Sequence, residues 1–163
     1  MLSDRQLRRR EGGASLVELS LVLFILLLLV AGVIDFGRAF NSYIVINNAS
    51  REGARYASRL MPLPSAEMSV FQAYETRVLD AVKQETAGSS VDLDDEDIDI
   101  DPNPVGDDDG ESDEDGTVAI SGEPITVTVS YEVPTIIASI AGSGFGSLSL
   151  RAQTTMVIFG QNG

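Results

Sequence analysis

Three groups of side chains in this chain could do chemistry, and they lie in very different surroundings. Glu18 is a lone carboxylate near the start of a long apolar run. Asp107, Asp109, Asp113 and Asp115 belong to a dense acidic stretch with glycines at Gly110 and Gly116. Arg51, Glu52 and Arg55 share a stretch of helical pattern in which Arg51, Arg55 and Arg59 fall on one row. The chain has neither cysteine nor histidine, which excludes disulfides, thiolate chemistry, zinc sites of the usual kind and histidine acid–base catalysis. Its carboxylates crowd one polar segment where nothing drives their pKa values apart. We therefore expect a structural or assembly protein and not an enzyme.

The element that positions Glu18 is an apolar helix. From Leu21 to Ile34 fourteen residues follow one another without a polar side chain, and Ala14 to Ile34 is broken only by Ser15, Glu18 and Ser20. As a helix, residues 14–34 extend about 31 Å, enough for a hydrocarbon core of about 30 Å. Arg5, Arg8, Arg9 and Arg10 precede it, so residues 1–13 form a basic leader expected in the cytoplasm and the remainder outside. A cleaved secretory signal is the competing reading. The length of the run, and a helical pattern that continues over 35–60, favour a retained anchor. At the exit Asp35 and Arg38 are spaced to pair. Glu18 sits about one turn inside the span, where an unpaired charge costs somewhat less than the roughly 3 kcal/mol of the bilayer centre.

Beyond the span, Phe40, Tyr43, Ile44, Ile46, Ala49, Gly53, Ala54, Ala57 and Leu60 supply an apolar side to the continuing helix, and Pro62 and Pro64 end it. A second helix is expected over 65–87, with Met68, Phe71, Tyr74, Val78 and Val82 on one face and Gly88 as its stop. The period then changes to two. Val91, Leu93, Ile98 and Ile100 alternate with acids, Val118 and Ile120 follow, Ile125 to Val133 is the clearest strand, and Leu148 to Ile158 is the last. The fold class expected is α+β: a long N-terminal transmembrane helix continuing into a small extracytoplasmic head, with a second helix and an antiparallel sheet of three or four strands over 91–163.

The net charge of −14 comes from one place. Asp92 to Asp115 carries fourteen of the 25 acidic residues and no Lys or Arg, and the rest of the chain is balanced. Nucleic-acid binding is disfavoured. The alternating acids before Gly116 resemble the opening of an EF-hand loop, which leaves weak calcium binding at Asp107, Asp109, Asp113 and Asp115 open. The twelfth place, however, is Gly122 and not the bidentate Glu such a loop needs. The plainer expectation for the acidic loop, at about 92–116, is a solvated, self-repelling segment. No other cofactor is expected.

The stretch GASLVELSLVLFILLLLVAGVIDFGRAF, the following NNASREGARYA, and the C-terminal GEPITVTVSYEVPTII and SLSLRAQTTM resemble the TadE-like proteins of tight-adherence pilus assembly. That resemblance implies a pilin-like head and a minor pilin or pseudopilin role in a type IV-related pilus or secretion system. It implies an inner-membrane location and, as partners, the lipid bilayer, other pilin-like subunits, an inner-membrane assembly platform and a prepilin peptidase. The peptidase's bond would be Gly13–Ala14, with Glu18 as fifth residue of the product and its assembly carboxylate. Cleaved members favour an aromatic residue after that glutamate, and Leu19 stands there instead. Arg51, Glu52 and Arg55 could contact partner subunits or simply pair with one another on a solvated face. A competing class is a membrane-anchored binding module whose acidic loop takes cations or a basic partner.

Overall fold

The structure, a computed structural model, describes residues 4–60, 68–102, 122–136 and 146–159, with side chains over 13–60, 69–102, 122–136 and 146–159. Two helices, α1 (Asp4–Leu60) and α2 (Met68–Thr86), precede three strands, β1 (Ile98–Asp101), β2 (Pro124–Pro134) and β3 (Ser147–Val157). The chain divides into two compact units, residues 1–38 with 134–147, and residues 39–133 with 148–163.

The first unit is built on the N-terminal part of α1. Leu16 to Val30 present their large apolar side chains outward almost without exception, and the helix is long and apolar enough to cross a membrane. Ser20 remains compatible with that surface because its hydroxyl donates to the Val17 carbonyl at 2.7 Å. At Asp35 the helix acquires a buried residue, which receives the chain returning from β2.

The second unit is an α+β sandwich of two helices and one sheet. The sheet order is β1-β2-β3, and β1 runs antiparallel to β2 with Ile98 opposite Val129 and Ile100 opposite Val127. These residues, with Ile125, Ala152 and Ile158, share one buried cluster with Ile46, Ala49, Ala54 and Ala57 of α1 and Tyr74, Val78 and Val82 of α2. The period-2 face expected on β2 is present, with Ile125, Val127 and Val129 inside. Thr128, expected on the opposite, polar face, is nevertheless buried, while Thr126 and Ser130 on that face are half-buried.

The apolar side expected on α1 needs correction. Ile46, Ala49, Gly53, Ala54 and Ala57 are buried, but Phe40, Tyr43, Ile44 and Leu60 are exposed. The buried row is made instead of small residues, joined by Ala39, Ser42, Ser50 and Ser58. Small side chains let the helix axis come close to its neighbours. At Gly53 a Cβ would lie 2.5 Å from Val82 Cγ2 and 3.1 Å from Val127 Cγ1, so this position admits only hydrogen. Around Gly53 the buried side is kept small, Ile46 is the large side chain buried further toward the N-terminus, and Phe40, Tyr43, Ile44 and Leu60 fall on the faces turned away.

Helix α2 buries Phe71, Tyr74, Val78 and Val82 at the expected spacing. It stops at Thr86, and Gly88 takes a left-handed φ of 85° just beyond. Residues 65–67, Val118, Ile120 and the stretch 137–145 lie outside the described residues. Val91, just before the expected acidic loop, and Leu93 within it are buried, and β1 places Ile98 and Ile100 inward with Asp99 and Asp101 outward. Asp99 and Asp101 are therefore the solvent face of an ordered edge strand, and Asp95–Asp97 form a short 3-10 turn before it.

Candidate functional site

The candidate site is α1 itself, read from its entry to its end. Gly13 and Ala14 are exposed and lie within the helix, and a Cβ added at Gly13 would meet nothing within 4 Å. Glu18 is exposed one turn later, among Leu16, Val17, Leu19 and Leu21. The helix therefore presents the carboxylate on the surface a membrane or a neighbouring helix would cover. Burying a charge there favours a pairing partner.

Asp35 is placed differently. It is only 8% exposed, and its Oδ1 accepts the backbone N–H of Ile136 at 2.9 Å. Arg38 Nη1 stands 3.9 Å from the same oxygen, at the outer limit of an ion pair, with its side chain half exposed. The Asp35–Arg38 pairing expected from spacing is thus present but secondary. Thr135 Oγ1 also donates to the Gly146 carbonyl at 3.0 Å, drawing the two ends of the intervening segment together. A contact between residues 101 apart in sequence leaves no local signal, so sequence reasoning could not have found it.

Further along, Arg55 and Glu52 form a two-pronged pair, with Arg55 Nε donating to Glu52 Oε2 at 2.8 Å and Nη2 to Oε1. The Arg55 hydrogen bond holds the Glu52 carboxyl below its usual range, with a smaller contribution from Arg59, and Glu52 in turn raises Arg55. Arg51, Arg55 and Arg59 are all exposed on one row. The structure thus brings Glu52 and Arg55 together and leaves Arg51 outside that pair.

The end of α1 is closed by groups from other elements. A helix leaves its last four carbonyls without intrahelical donors. Here the Tyr74 hydroxyl donates to the Ala57 carbonyl at 3.1 Å, and the Phe159 N–H donates to the Ser58 carbonyl at 3.1 Å. Burial pushes the Tyr74 hydroxyl's pKa up, which keeps it protonated and donating. Ser50 Oγ and Thr154 Oγ1 lie 2.8 Å apart, tying the middle of the helix to β3. Tyr74 was legible as a core residue of α2, but its role as a cap was not.

Among the described residues no cluster of three or more acidic side chains is arranged to hold a metal ion. Asp107, Asp109, Asp113 and Asp115 lie outside the described residues. A shallow cavity of about 440 Å³ at the end of α2, lined by Lys83, Thr86 and residues 87–93, has Lys83 Nζ donating to Asp95 Oδ1.

Compared with known proteins, residues 13–55 match the family model described as TadE-like protein. No curated protein and no solved structure matches the chain. The matched segment starts at Gly13, takes in the exposed apolar surface and Glu18, continues through Asp35 and Arg38, and ends at Arg55. Over residues 13–55, about a quarter of its length, the chain is similar to the TadE-like family.

Proposed function

We propose that the protein is a minor pilin or pseudopilin-like subunit that acts in assembling a tight-adherence, type IV-related pilus or secretion system. The observation that supports this best is the coincidence of the TadE-like match with a single helix of two characters. Its N-terminal part exposes a membrane-length apolar surface, and its C-terminal part is built into a small α+β head. Such a molecule can be held in a bilayer and present the head outside it. The positive-inside bias of the basic leader supports a cytoplasmic N-terminus and a head beyond the inner membrane. Its partners are lipid, other pilin-like subunits and the inner-membrane platform.

Gly13–Ala14 is the bond proposed for a prepilin peptidase, and Glu18 the carboxylate that meets a neighbour's helix during assembly. The bond lies in the helix, so cutting it requires the first turns to unwind. Gly12 and Gly13 each lower that cost by about 1 kcal/mol relative to Ala. Mass spectrometry of the native N-terminus decides the matter. A mature chain beginning at Ala14 is expected, and an intact residue 1–13 leader in the native host overturns the processing step. Glu18→Gln should leave the protein in the membrane fraction while reducing its recovery in pilus complexes. Unchanged recovery would remove Glu18 from assembly.

A further inference from the structure

Within the head, the outward side of α1 carries positive charge that its own neighbours do not balance. Arg51, Arg55 and Arg59 are exposed on one row, at the four-residue spacing at which like charges repel along a helix. Glu52 relieves part of that repulsion by pairing with Arg55. Among the described residues, Arg51 and Arg59 have no carboxylate within ion-pair distance.

The opposite excess lies elsewhere in the same unit. Residues 92–101 hold seven acids and neither Lys nor Arg. Asp92, Asp94, Asp95 and Glu96 are exposed at the 3-10 turn and just before it. The turn is ordered, since Asp97 Oδ2 accepts the Asp94 N–H at 3.0 Å and Lys83 pairs with Asp95. It leads into β1, one edge of the sheet, whereas α1 is tied to the other edge through Ser50 and Thr154 of β3. Helix α2 stands between them, with Val82 against Gly53 of α1 and Lys83 reaching the turn. Among the described residues no ion pair joins the arginine row to the acidic turn. Each surface thus has the charge the other lacks, and the sheet holds them apart.

We infer that the arginine row of one copy docks on the Asp92–Glu96 turn of a second copy of this chain. The net charge of −14 sets the molecule's general field against anionic lipid and nucleic acid, while a second copy offers acids at a fixed place. The two surfaces are different, so the contact is heterologous and repeats from copy to copy. Single exposed pairs contribute little. Several acting together, between copies confined to one membrane, gain from a high effective concentration. The inference rests on the pilin-like subunit reading and deepens it by naming the partner of the α1 face.

Reversing each surface in the full chain tests it. Arg51→Glu with Arg59→Glu reverses the row, and Asp92→Lys with Glu96→Lys reverses the turn. All four positions are exposed, and an unchanged melting temperature checks that each variant is folded. In mild detergent at low ionic strength, sedimentation should show self-association of either variant alone weakened by about tenfold. An equimolar mixture should recover the parent's association, because the reversed row meets the reversed turn and the native row the native turn. The parent's association should also fall in about 1 M salt, where screening acts over about 3 Å. Should either reversal melt lower, Arg51→Gln with Arg59→Gln, or Asp92→Asn with Glu96→Gln, should still weaken association and flatten its salt dependence. A monomeric parent, association unchanged in either folded variant, or a mixture that fails to recover would each overturn the inference. Loss with the row variant but not with the turn variant would assign the row to another acidic surface, such as residues 107–115 or a lipid headgroup, and equally overturns it. In any of these cases, normal recovery of the parent in pilus complexes leaves the subunit reading standing. Absence of the parent from such complexes overturns that reading itself.

Discussion

Two buried residues of the head make opposite demands on the same helix. Gly53 is required for what it lacks, since a methyl would meet Val82 at 2.5 Å and Val127 at 3.1 Å. Gly53→Ala gains up to about 1 kcal/mol of helix propensity, yet overpacking of this kind costs about 1–3 kcal/mol. The net expected outcome is a lower melting temperature of the full chain in detergent, and an unchanged or raised one would show that Val82 yields easily. Tyr74 is required for its hydroxyl. Tyr74→Phe keeps the ring in the core but leaves the Ala57 carbonyl without its donor, and should cost about 1–2 kcal/mol in the same measurement. Glu52 belongs to the exterior. Its carboxyl is lowered by Arg55, so whatever stability the pair adds is complete above the ordinary carboxylate value of about 4.3 and is lost as pH falls through the lowered one. Glu52→Gln should therefore change the neutral-pH melting temperature little and reduce its fall on acidification. An acid-side fall as large as the parent's would remove Glu52 from that transition.

At the scale of elements, α1 is apolar and outward-facing over its N-terminal part, and the small residues of its C-terminal part are what permit that part to enter a core. The expected apolar side of this helix included Phe40, Tyr43, Ile44 and Leu60, and counting hydrophobic residues favoured them over serines. Packing decided otherwise, because the close approach at Gly53 favours small residues around it, and Ser50 and Ser58 satisfy their polarity locally or through Thr154. Helix α2 and β2 were legible with little loss, since each has a single apolar face and no competing one. Strand β1 could be seen only as alternation within a run of acids, and its register against β2 came from the fold. Asp99→Leu should favour association of the head, because it replaces an outward acid on a short edge strand with an apolar group. Size-exclusion chromatography in detergent at rising concentration would show it, and an unchanged elution position would count against an edge-protecting role.

For the whole molecule, charge and hydropathy are segregated along the chain. The leader is basic, the anchor apolar, the head balanced, and the excess of acid sits in one segment. Much of that excess falls beyond β1, including Asp107, Asp109, Asp113 and Asp115, and for these we propose a solvated loop and not a calcium site. Millimolar calcium should leave the melting temperature of the full protein unchanged, and a clear rise with measurable binding heat would assign a metal role to the loop. The protein should resist extraction from membranes by alkaline carbonate, as an integral anchor does. Release into the supernatant would contradict the membrane reading.

The sequence by itself determined the order of the elements, the length of the apolar run, the absence of histidine and cysteine chemistry and the TadE-like signature, because these are properties of local periodicity and residue type. Only the tertiary structure decided which face of α1 enters the core, that Gly53 is a contact point, that Tyr74 and Phe159 close the helix end, and that Asp35 is bonded to Ile136. Each of these depends on groups far apart in the chain, whose meeting is set by packing volume and by where unsatisfied backbone groups emerge. The pairing of Asp35 and Arg38 shows the division within one side chain. Spacing alone brings the two charges near each other, but a buried hydrogen bond to Asp35 comes from a residue 101 positions away.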